Sequence, residues 1–274
     1  MAARISSKEG QLMSGLLDHK KTAAEIVKLA RSDDKVSVKF LLTEIFQDFI
    51  EFHGDRVYGD DPAIIGGLAY LNQQPVTVIS TNKGQTTKEK LASHFGCPEP
   101  AGYRKALRLA QQAAKFKRPV IFLVNTAGAY PGRSAEENGQ GEAIAKNLYE
   151  FSKLPVPIVS IIYGEGGSGG ALALACGDRV WMLENSTYSV LSPEGFAAIL
   201  WKDSSRADQA AEILQLTPEK LLRQQVIEGI IPESHSKYRL VKAIKRVLLQ
   251  EIDQLQQMTT DELLEKRRMR YRKF

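Results

Sequence analysis

The sequence predicts an α/β fold in which strands and helices alternate along a single domain. Three observations carry that expectation. Short apolar runs of strand type at residues 120–124, 156–163 and 180–183 are separated by stretches of helical pattern. Five of the seven residues 164–170 are glycine, at the point where a strand passes into a helix. No low-complexity linker divides the 274 residues, and a chain of this length can bury a large core. The expected organisation is a helical segment over about 1–53, a core over about 54–203 and a helical region over about 204–274.

Taken in order, the first fifty residues read as helix. Phe40, Leu41, Ile45, Phe46, Phe49 and Ile50 recur there at near-helical spacing. Residues 64–71 and 75–80 flank Asn72-Gln73-Gln74, which is a β-hairpin signal. Residues 101–116 are rich in alanine and leucine and read as a helix, closed by Lys117-Arg118-Pro119. A strand at 120–124, a helix at 135–154 and a strand at 156–163 follow. After the glycine cluster come a short helix at 168–176 and strands at 180–183 and 188–191. A helix then starts at Pro193 with Ser192 as its N-cap. From Ser204 onward nearly everything reads as helix, including 218–227, 238–255 and 260–272.

Composition narrows the class. The chain is 43% hydrophobic and 25% charged, ordinary for a soluble protein. No apolar run approaches the ~20 residues of a membrane span, and the N-terminus carries no signal-peptide stretch. The expected address is therefore cytoplasmic. Cys97 and Cys176 stand alone, and His19, His53, His94 and His235 are scattered. Neither a disulfide framework nor a metal site is expected in this chain. The net charge of +5 is partly local, with Lys266, Arg267, Arg268, Arg270, Arg272 and Lys273 crowding the end. A solvated helix end is favoured there over an anion-binding tail, because no nucleic-acid motif accompanies the cluster.

The glycine cluster supports three chemical readings. Without Cβ atoms the backbone can bend sharply and come close to a ligand, and amides at a helix start can hold an anion. Gly164-x-Gly166-x-x-Gly169, with Glu184 about twenty residues on, fits a dinucleotide fingerprint. Gly166-x-Ser168-x-Gly170, followed by Asp203 and His235, fits a nucleophile elbow. The third reading is a bare oxyanion hole of backbone amides. Glycines that serve only close helix–strand packing remain the bland alternative, and periodicity does not decide among the four.

Other segments do discriminate. Thr126-Ala127-Gly128-Ala129-Tyr130-Pro131-Gly132, followed by Ala135-Glu136-Glu137-x-Gly139-Gln140, resembles a signature loop of the acetyl-CoA carboxylase carboxyltransferase alpha-subunit family. Lys83-Gly84, Thr87-Lys88-Glu89, the segment from Pro100 to Arg108, residues 164–171, Ser186 to Gly195 and Ile199-Leu200-Trp201-Lys202 resemble that family in the same register. Two departures stand out. Ala127 occupies a position where members often carry proline, which leaves the turn less rigid, and the N-terminal helical extension is short.

The resemblance implies a crotonase-like spiral of strand-strand-helix units with helical N- and C-terminal segments. It implies a carboxyltransferase that moves a carboxyl group from carboxybiotin, presented by a biotin carboxyl carrier protein, to acetyl-CoA, giving malonyl-CoA for fatty acid synthesis. The implied partners are a beta subunit in an α2β2 assembly and a biotin carboxylase in the full complex, with no requirement for nucleic acid. In such a mechanism carboxybiotin releases CO2, the ureido anion takes a proton from the acetyl methyl group, and the enolate captures CO2. Both partners pass through oxyanions, and a preorganised amide aimed at one is worth ~10²–10³ in rate. On this reading the Gly166 and Gly167 amides form an oxyanion hole, and Gly128, Ala129, Tyr130 and Gly132 form a substrate-binding wall. Tyr130 serves equally well as a core aromatic. Glu136 and Glu137 read as a helix N-terminal charge pair rather than acid/base groups, and Lys83, Lys88 and Arg104 as solvated surface charges rather than contacts to acidic groups of substrate or partner. The rivals are a serine hydrolase using Ser168, a nicotinamide dehydrogenase using the Gly164 motif, and a non-catalytic crotonase-like scaffold.

Overall fold

The computed structural model describes residues 21–234 and 236–274. The start of the expected N-terminal helix, with His19, lies outside the described residues, as does His235. Helix α1 (Ala23–Arg31) is launched by a capping box in which Thr22 and Glu25 satisfy each other's amides. Helix α2 (Val38–Ile45) is capped by the Ser37 hydroxyl.

The helical expectation fails beyond Ile45. Phe46 is extended, and strand β1 (Gln47–Glu51) forms an edge of the sheet. The 46, 49, 50 spacing of apolar residues suits a helix, but pairing with β2 (Ile64–Leu71) overrides it. A Cβ on Gly67 of β2 would lie 2.0 Å from the Ile50 carbonyl oxygen, so only a bare backbone lets β1 dock there. Strand β2 and β3 (Gln74–Thr81) make the expected hairpin, with Asn72 at φ 57 in the turn.

Helices α3 (Thr87–Ala92) and α4 (Pro100–Lys115) lead to β4 (Val120–Thr126). The single helix expected over 135–154 is two, α5 (Arg133–Glu137) and α6 (Gln140–Ser152), because Gly139 turns left-handed at φ 83. Strand β5 (Ile158–Gly167) runs well into the glycine cluster, and the helix after it, α7 (Ser168–Leu172), is a single short turn. Next come β6 (Arg179–Leu183), β7 (Thr187–Ser189), α8 (Pro193–Trp201), α9 (Ala207–Leu214) and α10 (Pro218–Arg223). The end, expected to be nearly all helix, contains one more strand, β8 (Gly229–Ile231), ahead of α11 (Lys237–Gln256) and α12 (Thr260–Tyr271).

The strands form one sheet in the order β1-β2-β3-β4-β5-β6-β8, with β7 pairing β5 beyond the end of β6. Pairing is antiparallel from β1 to β3 and parallel from β3 onward. Alternation along β4 distributes the core between two faces. Val120, Phe122 and Val124 face a cluster with α4 and α6, and Ile121 and Leu123 face one with α2 and α11. Burial on both faces explains why β4 reads as an unbroken apolar run.

Neither reading of the basic C-terminus applies to two of its arginines. Arg267 is fully buried against Asp178, and Arg270 is buried against Glu228. They fasten α12 to the edge of the sheet rather than face solvent or an external anion.

Candidate active site

Strands β4 and β5 run parallel, with Thr126 opposite Gly166 at their carboxyl ends. Ligands of α/β sheets collect at such ends. The Thr126 hydroxyl shapes the turn that follows, donating to the Gly128 carbonyl at 2.8 Å and accepting from the Gly128 amide at 3.1 Å. Across from this turn, β5 passes directly into α7. Ser168 makes the change of direction in the left-handed region, φ 54, with its side chain exposed.

The two segments touch backbone to backbone. A Cβ on Gly167 would fall 1.9 Å from the Ala127 carbonyl oxygen, and one on Gly170 would fall 2.3 Å from the Ala129 nitrogen. Gly166 is paired with Thr126 on one side and Tyr188 on the other, while Gly167 pairs with Ser189 of β7. The first turn of α7 adds the free amides of a helix start. So the structure brings together Gly128, Ala129, Gly166 and Gly167, which the sequence had placed in one site from segments almost forty residues apart.

Tyr130 and Gly132 hold the loop from behind. The Tyr130 ring stacks on His94 with centroids 3.9 Å apart. Its amide donates to the Pro98 carbonyl at 3.0 Å, and its carbonyl accepts from Gln140 Nε2 at 3.2 Å. A Cβ on Gly132 would meet the Tyr130 ring at 2.2 Å.

Beside the glycines lies an ion network invisible in the sequence. The Glu165 carboxylate accepts from Lys83 Nζ at 2.6 Å and Arg31 Nε at 2.8 Å. Arg31 also forks onto both Glu194 oxygens at 2.6 and 3.1 Å. Burial works to raise the Glu165 carboxyl, but Lys83 and Arg31 outweigh it and hold the group below the usual carboxylate range. The Glu165 amide donates to Asn125 Oδ1 at 2.9 Å, which fixes the backbone just ahead of Gly166. Lys83, expected to be a surface charge, is therefore part of the site.

Two spaces meet at this network. A cleft of about 580 Å³ reaches Ala127 and Glu165 and is lined by Arg31, Lys35, Lys39, Lys83, Lys90 and Lys237 among others. A slot of about 50 Å³ lies against Gly166 and Gly167, closed by Val27 and Arg31 of α1 and by Leu191 and Pro193. Cys97 lines the cleft, yet burial pushes its thiol up despite nearby Lys83, so it is no activated thiolate.

The remaining sequence candidates lie elsewhere. Glu184, the supposed ribose partner, binds Lys21 Nζ and the Glu233 amide and lines a different cavity of about 630 Å³. The Asp203 carboxylate caps Ser205, accepting from its amide at 3.0 Å and its hydroxyl at 2.6 Å. Glu137 pairs with Arg133 on exposed α5, Lys88 is exposed, and Arg104 braces Asp55 at 2.7 Å. Among the described residues no group of His, Cys, Asp and Glu converges to hold a metal ion, and no helix is long and apolar enough to cross a membrane.

Comparison with known proteins gives a consistent result. A family model described as acetyl co-enzyme A carboxylase carboxyltransferase-like matches residues 3–274. The acetyl-coenzyme A carboxylase carboxyl transferase subunit alpha of Streptococcus equi subsp. equi (strain 4047) is 56% identical over 252 residues, covering 92% of this chain and 98% of the relative. Among solved structures, transcarboxylase 12S with methylmalonyl-coenzyme A and methylmalonic acid bound superposes with a TM-score of 0.65 at 18% identity, over 81% of this chain and 44% of that one. The beta subunit of geranyl-CoA carboxylase from P. aeruginosa gives 0.63 at 16% identity, over 90% of this chain and 50% of that one. These likenesses bear out the crotonase-like fold.

Proposed function

Because the chain belongs to the acetyl-CoA carboxylase carboxyltransferase alpha-subunit family, we propose that the junction of β5 and α7 is its oxyanion-stabilising centre. Its chemistry is carboxyl transfer, from carboxybiotin on a carrier protein to acetyl-CoA. The partner is a beta subunit, assembled as α2β2 and joined in the full complex by the carrier and a biotin carboxylase. In this reading the Gly166 and Gly167 amides, reinforced by the first turn of α7, donate to an oxygen as it becomes negative. Gly128 and Ala129 form the facing wall, and Tyr130 and Gly132 set the curvature of that wall. The observation that carries the reading is the backbone contact of residues 127–129 with Gly167 and Gly170.

The residues suit the donor. The 580 Å³ cleft has room for a bicyclic ring system, whereas the 50 Å³ slot admits no more than a small group. When bound, carboxybiotin supplies both the CO2 and the base, so no protein general base is needed. The chain's own contribution is then orientation and fixed dipoles, with Lys83 and Arg31 neutralising Glu165 so that no free anion faces the reacting oxygens.

Co-expression with a cognate beta subunit is expected to give malonyl-CoA from carboxybiotin and acetyl-CoA, while neither chain alone does. The same complex carrying Ser168→Ala should keep its rate within about threefold, since the exposed hydroxyl is not a nucleophile. Absence of malonyl-CoA from a well-assembled complex would overturn the assignment. Loss of activity in Ser168→Ala, with covalent capture of that serine by a fluorophosphonate, would favour a hydrolase instead.

A further inference from the structure

Beside the loop and Gly170 is a buried group that the mechanism above leaves idle. Tyr103, on α4, is completely buried, and its hydroxyl has no hydrogen-bond partner among the described residues. Such an orphan is uncommon, since a buried unpaired hydroxyl gives up its hydrogen bonds to water with nothing in return. Its position is specific. The point where a side chain on Gly170 would begin lies 2.7 Å from the Tyr103 hydroxyl oxygen, 2.6 Å from the Gly128 carbonyl carbon and 2.3 Å from the Ala129 nitrogen. The phenol and the peptide that joins Gly128 to Ala129 thus both pack against Gly170 at the start of α7.

That peptide has an unequal set of bonds. Its carbonyl accepts one hydrogen bond, from the Thr126 hydroxyl at 2.8 Å, and retains a second lone pair. Gly128 and Tyr130 spend their amides on Thr126 Oγ1 and the Pro98 carbonyl. The Ala129 amide has no such partner among the described residues.

We propose that Tyr103 is a positioning residue for carboxyl transfer, whose hydroxyl donates to the free lone pair of the Gly128 carbonyl when the loop settles around its substrate. A second hydrogen bond on a carbonyl polarises the whole peptide unit and makes its N–H a stronger donor. The unit in question ends in the Ala129 amide, on the wall that faces Gly167 and Ser168. Tyr103 thus acts through Ala129 and touches no substrate. Burial holds the phenol well above its ordinary range, so it stays a donor at every working pH. The inference rests on the oxyanion reading given above.

The test is Tyr103→Phe, assayed as the assembled complex with the beta subunit. The ring and its packing are kept and a single oxygen is removed. The expected result is a fall in kcat of about tenfold, because the Ala129 donor is weakened rather than lost. KM for acetyl-CoA should change by less than about twofold, and Tm should hold or rise as an unpaired buried group disappears. A kcat within about twofold of the parent overturns the proposal. So does a lower Tm, which would mean that the hydroxyl is bonded in the resting protein and only structural. Both outcomes leave the assignment of the parent complex standing, and an inactive parent complex would refute that assignment independently.

Discussion

Replacing Gly167 with alanine is expected to reduce carboxyl transfer by at least about a hundredfold, the scale on which an oxyanion donor is lost. The reason is steric and local. The new methyl group would start 1.9 Å from the Ala127 carbonyl oxygen and 2.3 Å from its carbon. Both atoms are backbone, so no side chain can swing aside, and the turn at 127–129 has to move. A shift of that turn spoils the alignment of two walls at once, and catalysis by fixed dipoles tolerates little misplacement. Gly169→Ala is the matched control. Its methyl group would find only Ile144 Cγ2, at 3.8 Å, which is ordinary contact. The control is expected to stay within about threefold of the parent, since it disturbs neither wall. Because overpacking of this kind costs about 1–3 kcal/mol, the rate should be measured on complexes shown by gel filtration to be assembled, below their melting transition. Comparable rates for Gly167→Ala and the parent would mean that the contact serves no catalytic geometry. Gly167→Val would be a poorer probe, since a larger side chain at this contact disrupts packing and chemistry together.

How much of this site could be read from the sequence depends on the kind of interaction. The glycines at 166, 167 and 170 were legible because close backbone approach leaves a compositional mark: only a residue without Cβ fits. The opposite wall was legible through the resemblance of Thr126 to Gly132 to a known loop. The ion network was not. Glu165 meets Lys83 and Arg31 across 82 and 134 residues of chain, and a charge carries no sign of its partner at such distances. Tyr103 falls within the Pro100–Arg108 segment that carries the resemblance, but a sequence gives no sign that its hydroxyl is buried and unpaired. Secondary structure failed where tertiary pairing decided it. Strand β1 exists because β2 offers an edge beside Gly67, and strand β8 because β6 offers the other. Both are short, and neither has the length or alternation that marks a strand in isolation.

The largest effect on stability is expected at Arg267. Its substitution by methionine should destabilise the chain by roughly 3–5 kcal/mol, the range found when one partner of a buried ion pair is removed. The guanidinium is wholly enclosed. Nε and Nη2 donate to the two oxygens of Asp178 at 2.8 and 2.7 Å, Nη1 to the carbonyls of Phe151 and Leu154 at 2.8 and 2.7 Å, and Nη2 also to Val156 at 2.8 Å. Methionine would fill much of the space but leave the Leu154 and Val156 carbonyls and one Asp178 oxygen without the donors they have here. Lysine would fare little better, because a single ammonium cannot span acceptors arranged for a planar fork. A double change, Arg267→Met with Asp178→Asn, removes the stranded charge and should recover about 1–2 kcal/mol of the loss. Urea denaturation of the three proteins measures this directly, and a single variant within about 1 kcal/mol of the parent would show that the enclosure is not stabilising. The consequence reaches the active site through the chain. Asp178 also accepts from the Ile158 amide at 2.8 Å, at the start of β5, and the far end of that strand is Gly167. Arg267 thus braces one end of the strand whose other end carries the glycines proposed to bind the oxyanion.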